Sequence, residues 1–286
     1  MTSEVIQTCT LCGGHPLKET SLPSIFACPD CTALLNHRSH SRAEEEQIYL
    51  TESFDTALEL SKNQAEWFRQ IVSEAAIEPG YLVDFGCGTG GFLWQAEQIG
   101  WEVAGLEINP ESAQKAGDRL GRPVFSGSFY DYPGPTRPAD VVTFWDSLDH
   151  LLQPDEALSR AHSWLRAGGG VVIRVRNGPW HYWARRVQGA LRKLGLLRSR
   201  RYVGVIHRYG FTRKSLARLL AQEGFGEIRW YPADLTAGDR YFWFRSMTLR
   251  HLLVQLYFGV ADSIYRLTGG RFYPFASLLV YAKRRE

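Results

Sequence analysis

One segment, residues 82–91, limits the possible folds more than any other feature of the sequence. It reads Leu-Val-Asp-Phe-Gly-Cys-Gly-Thr-Gly-Gly, an apolar strand that runs directly into a glycine-rich turn. Gly86, Gly88 and Gly90 permit positive φ angles and let the backbone approach a ligand without a Cβ in the way. In open α/β sheets, ligands bind across the carboxyl ends of the strands, where such turns occur. The segment therefore predicts a cofactor site at the edge of a mostly parallel sheet.

After residue 80, strand and helix patterns alternate, as in a doubly wound α/β sheet with helices on both faces. The predicted strands are Tyr81–Phe85, Glu102–Glu107, Pro123–Phe125, Val141–Trp145, Gly170–Val175 and Glu227–Tyr231, with Ser277–Lys283 as a candidate seventh. Helices are predicted at about Gly91–Ile99, Pro110–Leu120, Pro154–Leu165 and Thr212–Glu223, with Asn109 and Thr212 as N-caps. We predict a Rossmann-like, mostly parallel seven-stranded sheet with a helical insertion and tail.

The chain divides into four predicted regions. Residues 1–45 form a small cysteine-containing module, and residues 46–80 form a linker helix. Residues 81–232 form the α/β core, which includes a basic insertion at about 177–208, and residues 233–286 supply a C-terminal helix and the last strand. No segment offers the roughly 18 uninterrupted apolar residues of a membrane span. We expect a cytoplasmic protein.

The second predicted strand ends in Glu107, 21 residues after Gly86. A carboxylate at this interval can accept hydrogen bonds from both ribose hydroxyls of an adenosine. The glycine spacing differs from the GxGxxG of dinucleotide enzymes, and the sequence has no GxxxxGK[ST] phosphate loop. Pyrophosphate ligands are therefore disfavoured.

These motifs resemble those of the class I S-adenosylmethionine-dependent methyltransferases over about residues 66–232. Residues 83–93 (VDFGCGTGGFL) look like the first motif of that family, residues 105–110 (GLEINP) like its ribose-binding strand end, and residues 144–151 (FWDSLDHL) like its fourth-strand motif. The resemblance implies S-adenosylmethionine as the cofactor. Its implied contacts are Asp84 at the methionine end, Gly86, Gly88 and Gly90 along the cofactor, Glu107 at the ribose, Ile108, Ser128 and Phe129 around the adenine, and Asp146 beside the site.

A sulfonium methyl donor needs orientation and exclusion of water more than it needs activation. If the acceptor must lose a proton, the candidate catalytic residues are His150, His207 and Asp146. His150 follows the end of a central strand, where open sheets place ligands. A hydrogen-bonded structural role is the alternative for either histidine. A divalent metal held by Asp146, Asp149 and His150 is a further alternative.

Four of the five cysteines form two CxxC pairs, Cys9 with Cys12 and Cys28 with Cys31. The 15 residues between the pairs match the spacing of a tetrahedral structural zinc site. Four protein ligands leave no open position for catalysis, and a redox pair is the alternative. The arrangement also resembles zinc-ribbon methyltransferases of bacterial secondary metabolism and surface-polysaccharide loci. The substrate does not follow from that resemblance.

Charge is distributed unevenly along the chain: residues 157–222 contain 15 Lys or Arg and no Asp or Glu. We expect the insertion at about 177–208 to act as a lid over the acceptor, although a solvated helix face would also explain its charge. The favoured acceptor is a small molecule, anionic or lipid-linked: a glycan precursor, nucleotide sugar or lipid-linked metabolite, methylated at oxygen or carbon. Peripheral contact with an anionic membrane is a related hypothesis.

Two other functions stay open at this point. The first is an RNA methyltransferase with a zinc module, which is less favoured because no [DN]PP[YFW] motif follows the fourth strand. The second is a regulatory protein that binds the cofactor without catalysis. The oligomeric state does not follow from the sequence.

Overall fold

The computed structural model describes residues 8–14, 16–36, 44, 47, 50, 58–195, 206–233 and 247–286. The chain divides into two compact units. The cysteine unit comprises Met1–Ser39, Arg176–Leu216 and Tyr231–Leu279, and the sheet unit comprises His40–Val175, Ala217–Trp230 and Val280–Glu286. The domain boundaries given above at residues 45, 80 and 232 stay predictions.

The described secondary structure alternates between strands and helices along most of the chain. The strands are β1 (Lys18–Glu19), β2 (Ile25–Ala27), β3 (Leu34–Asn36), β4 (Tyr81–Phe85), β5 (Glu102–Glu107), β6 (Phe125–Ser126), β7 (Ala139–Trp145), β8 (Leu165–Arg176), β9 (Tyr209–Gly210), β10 (Phe225–Tyr231) and β11 (Ser277–Arg284). The helices are α1 (Leu58–Glu74), α2 (Gly91–Gln98), α3 (Pro110–Leu120), α4 (Pro154–Trp164), α5 (Gly178–Lys193), α6 (Arg213–Gln222) and α7 (Met247–Leu267).

A seven-stranded sheet has the strand order β10-β11-β8-β7-β4-β5-β6. Strand β4 pairs in parallel with β5 and β7, β5 pairs in parallel with β6, and β7 pairs in parallel with β8. The central strands β4 and β7 are mostly apolar and almost entirely buried, as strands covered by helices on both faces require. The predicted α/β fold class, including a C-terminal seventh strand, is confirmed.

Strand boundaries differ from the prediction where glycine and proline interrupt the pattern. Strand β8 begins at Leu165 instead of Gly170, because Leu165 pairs with Ala139 across an irregularity in the register. Strand β6 begins at Phe125 instead of Pro123, because a proline has no N–H to donate to the ladder.

Helix boundaries follow the predicted capping residues. The Asn109 side chain accepts a hydrogen bond from the Ser112 N–H at 2.9 Å, and Pro110 follows as the first helical residue of α3. Gly121, with φ of 66°, ends that helix. Thr212 caps α6 in the same way, accepting from the Ser215 N–H at 3.0 Å. Asn109 thus fixes the direction in which the chain leaves β5, directly after Glu107.

The cysteine unit contains a small antiparallel sheet with the order β1-β2-β3-β9. The first three strands come from the N-terminal segment, and β9 comes from the segment that precedes α6. Leu34 is paired with Gly210, and Leu35 with Tyr209. Within the described residues, none of the helices has the length and apolar character that crossing a bilayer requires.

Candidate functional site

The turn after β4 adopts the left-handed conformations that its glycines allow. The φ angles of Gly86, Gly88 and Gly90 are 77°, 55° and 74°. A Cβ on Gly86 would lie 3.0 Å from the Ser147 Cβ, and a Cβ on Gly90 would lie 2.9 Å from the Ala116 Cβ. Gly90 therefore also allows close packing of α3 against the turn, a role that the sequence pattern alone did not indicate.

Asp84 lies in β4, fully buried, just before this turn. The Thr143 hydroxyl donates a hydrogen bond to its Oδ1 at 2.7 Å. Burial raises the pKa of Asp84 to about 7, and repulsion from Glu107 adds to this effect, while the hydrogen bond from Thr143 opposes it. The sheet unit thus contains a carboxyl group whose ionised form a nearby cation would stabilise.

Glu107 is held at the end of β5 by two backbone donors. The Gly88 N–H donates to its Oε2 at 2.8 Å, and the Asn109 N–H donates to its Oε1 at 2.9 Å. Burial raises the pKa of Glu107, and these backbone hydrogen bonds oppose the shift. Each carboxylate oxygen has a further lone pair, so the fixed group can accept two hydroxyl donors from a ligand.

Asp146 follows β7, and its carboxylate is paired with the Arg174 guanidinium of the neighbouring strand β8. Asp146 has a φ of 54°, and its N–H donates to the Arg174 carbonyl at 2.8 Å. The Arg174 guanidinium carbon also lies 5.4 Å from the centre of the Trp67 ring. The pair reduces the capacity of Asp146 to act as a base. Arg174 was missed in the sequence, although an arginine within the apolar run 170–175 is a recognisable signal.

The structure places the other predicted cofactor residues at the ends of the same strands. Ile108 is half-buried directly after β5, and Ser128 is buried after β6. Phe129 is buried with its ring centre 5.0 Å from that of Phe85. The strand ends thus bring together the glycine turn, Asp84, Glu107 and Asp146, the last held by Arg174. The cofactor contacts of Ile108, Ser128 and Phe129 stay predictions.

The candidate proton acceptors belong to different units. His150 lies in the sheet unit, half-buried, with its Nε2 3.9 Å from Oδ1 of the buried Asp149. The His150 N–H donates to the Ser147 carbonyl at 3.1 Å. His207 belongs to the cysteine unit and is half-buried. Their catalytic roles stay predictions. Of the predicted lid, residues 196–205, with Arg198, Arg200 and Arg201, lie outside the described residues.

The sulfur atoms of Cys9, Cys12, Cys28 and Cys31 all lie within 4.8 Å of one another. The Sγ atoms are 3.6 Å apart for Cys9 and Cys31, and 3.5 Å apart for Cys12 and Cys28. Four thiolates at 2.3 Å from a tetrahedral zinc would be about 3.8 Å apart, so the cluster fits a metal of that size. The Cys31 N–H points at the Cys28 sulfur at 3.5 Å.

The thiols of this cluster influence one another's pKa. Hydrogen bonding from Cys9 lowers the pKa of Cys31 to about 5, and the same interaction, together with burial, raises the pKa of Cys9. A thiolate is therefore already favoured at one position, and a bound cation would favour ionisation of the remaining thiols.

Contacts from the cysteine module reach the segment around β9. The Thr32 and Thr212 hydroxyls are 2.9 Å apart, and the Thr10 and Tyr209 hydroxyls are 2.8 Å apart. The Asn36 amide donates to the Ile206 carbonyl at 3.0 Å. The thiol cluster therefore sits beside a junction between the N-terminal segment and the end of the basic insertion.

The profile of a family described as a methyltransferase domain matches residues 60–228, more than half of the 286 residues. The chain belongs to this family. The match covers the glycine turn, Glu107 and Asp146, and it begins after the four clustered cysteines.

An uncharacterized methyltransferase of Geobacillus kaustophilus is 32% identical over 131 residues, 43% of this chain and 61% of the relative. A second one, from Geobacillus thermodenitrificans, is 29% identical over 131 residues, with the same shares. The chain thus spans about three fifths of the length of these curated relatives.

Two solved structures have a fold similar to that of this chain. The plantazolicin methyltransferase BpumL in complex with SAH has a TM-score of 0.52 and 14% identity, covering 86% of this chain and 90% of BpumL. A SAM-dependent methyltransferase from Archaeoglobus fulgidus has a TM-score of 0.50 and 16% identity, covering 78% of this chain and 94% of that protein.

Removing the Arg174 guanidinium should destabilise the sheet unit. Loss of one partner of a buried ion pair costs about 3–5 kcal/mol, and we expect a value near the lower limit for Arg174→Ala because 26% of the Asp146 side chain is exposed. Urea denaturation measures the change. As a control, Lys115→Ala removes an exposed pair with Glu111 on α3 and should leave the free energy of unfolding nearly unchanged. Equal losses in the two variants would contradict the assigned role.

Asp84 should make the cofactor-free protein less stable as the pH rises. The folded chain keeps the Asp84 proton up to about pH 7, whereas the unfolded chain releases it near the ordinary pKa of 3.8. The folded state therefore binds more protons in this window, and the free energy of unfolding falls as the pH rises through it.

The variant Asp84→Asn removes this titration while its amide oxygen can still accept from Thr143. Relative to wild type, the variant should gain stability by an amount on the order of 4 kcal/mol between about pH 4 and about pH 8. Urea titrations across this range measure the difference. If the free energy of unfolding changed with pH in the same way for both proteins, the pKa of Asp84 would not be raised in the folded chain.

Proposed function

We propose that this chain is an S-adenosylmethionine-dependent methyltransferase that acts on a small-molecule acceptor. One observation supports the cofactor most directly: two carboxyl groups, the buried Asp84 and the half-buried Glu107, flank a turn whose backbone leaves room for a ligand. Two acids at such a place favour a cationic ligand, and S-adenosylmethionine carries both an ammonium and a sulfonium group. Family membership agrees with this reading.

In this proposal each site residue has a distinct task. Glu107, oriented by Gly88 and Asn109, accepts the two ribose hydroxyls. Asp84 faces the ammonium group at the methionine end. The remaining contacts come from the turn glycines Gly86, Gly88 and Gly90, from Ile108, Ser128 and Phe129 around the adenine, and from Asp146 beside the site.

S-adenosylmethionine, when bound, supplies a methyl group that is already electrophilic. The chain contributes orientation of the acceptor, exclusion of water and, where the acceptor must be deprotonated, a base. Since Asp146 is paired with Arg174, we assign it a positioning role and keep His150 as the first candidate base, with His207 second. Turnover of His150→Ala on an identified acceptor, with unchanged cofactor affinity, tests this assignment.

We further propose an anionic or lipid-linked acceptor, such as a glycan precursor or nucleotide sugar. The supporting observation is the charge of the insertion: the described residues 176–195 contain five Lys or Arg and no Asp or Glu. Arginine binds phosphate and carboxylate groups through paired hydrogen bonds. Incubation of the protein with S-adenosylmethionine and candidate acceptors, followed by mass spectrometry, identifies the methylated product.

We also propose that Cys9, Cys12, Cys28 and Cys31 hold a structural zinc ion. The fit rests on the spacing of the four sulfur atoms. The ion would stabilise the four-stranded sheet of the cysteine unit, whose strands are two or three residues long. Strands this short do not hold together without a further constraint.

Substitutions at the glycine turn and at Glu107 should weaken cofactor binding. Gly88→Val places a branched side chain at a φ of 55° and closes the approach. Glu107→Gln removes the charge and replaces one acceptor oxygen by an NH₂ group, which costs about 1.5–3 kcal/mol for one charge-assisted hydrogen bond, so affinity for S-adenosylhomocysteine should fall about 10- to 100-fold. Titration calorimetry measures both.

Glu102→Gln is the matched control for this experiment, because Glu102 lies on the same strand, is exposed and pairs with Arg137. Its affinity should equal that of wild type. Wild-type affinity in both Gly88→Val and Glu107→Gln would place the cofactor elsewhere.

Purified protein should carry about one equivalent of zinc, and Cys28→Ser with Cys31→Ser should remove it. Loss of the metal should also release β9 from β3, seen as faster hydrogen exchange at residues 206–212. The fifth cysteine, Cys87, belongs to the sheet unit, so Cys87→Ser should keep both the zinc and the slow hydrogen exchange at residues 206–212. Protein prepared without chelator that contains no zinc, or a double variant that retains it, would refute the site.

A further inference from the structure

One side of helix α5 exposes apolar side chains to solvent. Trp183 and Val187 are each more than half exposed, and their spacing of four residues places them on one side of the helix. Residues on the opposite side, His181 and Gln188, are buried. One face of the helix therefore exposes apolar side chains to solvent.

Helix α7 repeats this arrangement. Leu252, Leu256 and Val260 follow one another at intervals of four residues, and each is more than half exposed. Ala261, on another side of the helix, is buried. An exposed apolar side chain is common by itself, whereas two helices with regular exposed stripes indicate an interaction surface.

The two helices meet within the cysteine unit. The Trp180 Nε1–H donates to the Tyr257 hydroxyl at 2.7 Å. Trp183 and Val187 lie three and seven residues after Trp180, and Val260 lies three residues after Tyr257, so these exposed side chains are helical neighbours of the contact. We call the exposed residues Trp183, Val187, Leu252, Leu256 and Val260 the apolar stripe.

Basic residues border the apolar stripe. The Arg186 guanidinium carbon lies 5.1 Å from the centre of the Trp183 ring. Lys193, seven residues after Arg186, is exposed on the same flank of α5, and the described residues 176–195 contain no acid. A tryptophan next to an arginine, beside exposed leucines and valines, is the composition of helices that lie in the interface of an anionic bilayer.

We propose that α5 and α7 dock the protein on an anionic phospholipid membrane, with the apolar stripe at the level of the acyl chain boundary and the basic residues at the headgroups. Both helices would lie parallel to the membrane plane, since neither meets the requirements for crossing it. A dimer through the same surface is the competing occupant, and the basic residues beside the exposed apolar side chains favour an anionic membrane over it. This inference does not depend on the cofactor or on the acceptor.

Vesicle flotation tests the docking directly. Wild-type protein should float with vesicles of equal parts phosphatidylcholine and phosphatidylglycerol and should remain unbound with pure phosphatidylcholine. The double variant Trp183→Ser with Leu256→Ser should reduce the partition coefficient by about tenfold or more, because burial of these side chains supplies the apolar contribution. Arg186→Gln with Lys193→Gln should reduce it by about fivefold per residue and weaken its salt dependence.

Trp94→Ser is the matched control, because Trp94 is exposed on α2 of the sheet unit, at 37% compared with 59% for Trp183. It should bind anionic vesicles like wild type. All variants should keep the wild-type melting temperature and affinity for S-adenosylhomocysteine, so loss of docking is separable from misfolding and from failure of the cofactor proposal.

Three results would overturn the proposal. Wild-type protein could fail to bind anionic vesicles, or the apolar and basic variants could both bind as wild type does. Alternatively, light scattering could show a dimer that Trp183→Ser with Leu256→Ser dissociates, without any vesicle binding. That last result would assign the surface to a second copy of the chain.

Discussion

Two carboxyl groups, the buried Asp84 and the half-buried Glu107, lie near the ends of adjacent parallel strands, and the candidate site depends on how the backbone holds them. Asp84 gains one hydroxyl donor from Thr143, and Glu107 gains the amides of Gly88 and Asn109. Neither set of donors offsets the cost of burial, because the pKa of both groups is raised. A site that keeps two such acids without lowering their pKa is stabilised by a ligand that brings positive charge. This electrostatic requirement selects the class of cofactor more sharply than the fold does, since doubly wound sheets bind many different ligands.

Asp146 shows the opposite solution one strand further along the sheet. Its charge is met within the protein by Arg174, and the pair joins the ends of β7 and β8. Because the arginine neutralises Asp146, the acid can shape the site without adding to the negative charge that Asp84 and Glu107 create. The left-handed backbone of Asp146 is held by its N–H bond to the Arg174 carbonyl. Arg174 therefore both neutralises the Asp146 carboxylate and holds the Asp146 backbone at this strand end.

The sequence predicted the parts of the structure that depend on short-range patterns. Alternating apolar strands and amphipathic helices indicated the sheet, and Asn109 marked the start of α3 correctly. The pairing of β3 with β9 could not be predicted, because it joins residues such as Leu35 and Tyr209 that are far apart in the chain, and each strand is too short to have a pattern. The Arg174–Asp146 pair was missed for a related reason: a strand pattern shows that an arginine is buried but does not show which acid it meets. The roles of the candidate site residues stay predictions, as they depend on ligands.

The cysteine unit gains its organisation from contacts between distant segments. The thiol cluster lies in the N-terminal segment, yet the residues beside it, Thr10 and Thr32, contact Tyr209 and Thr212 at the end of the insertion. Ser21 also reaches the Tyr182 hydroxyl on α5, at 3.0 Å. A metal at the four sulfurs would therefore stabilise more than the cysteine loops. Strand β3 of the same N-terminal segment pairs with β9, and Ser21 contacts α5. Since α5 also has the exposed Trp183 and its neighbouring Arg186, the stability of the cysteine cluster and the presentation of the apolar stripe are properties of one folded unit.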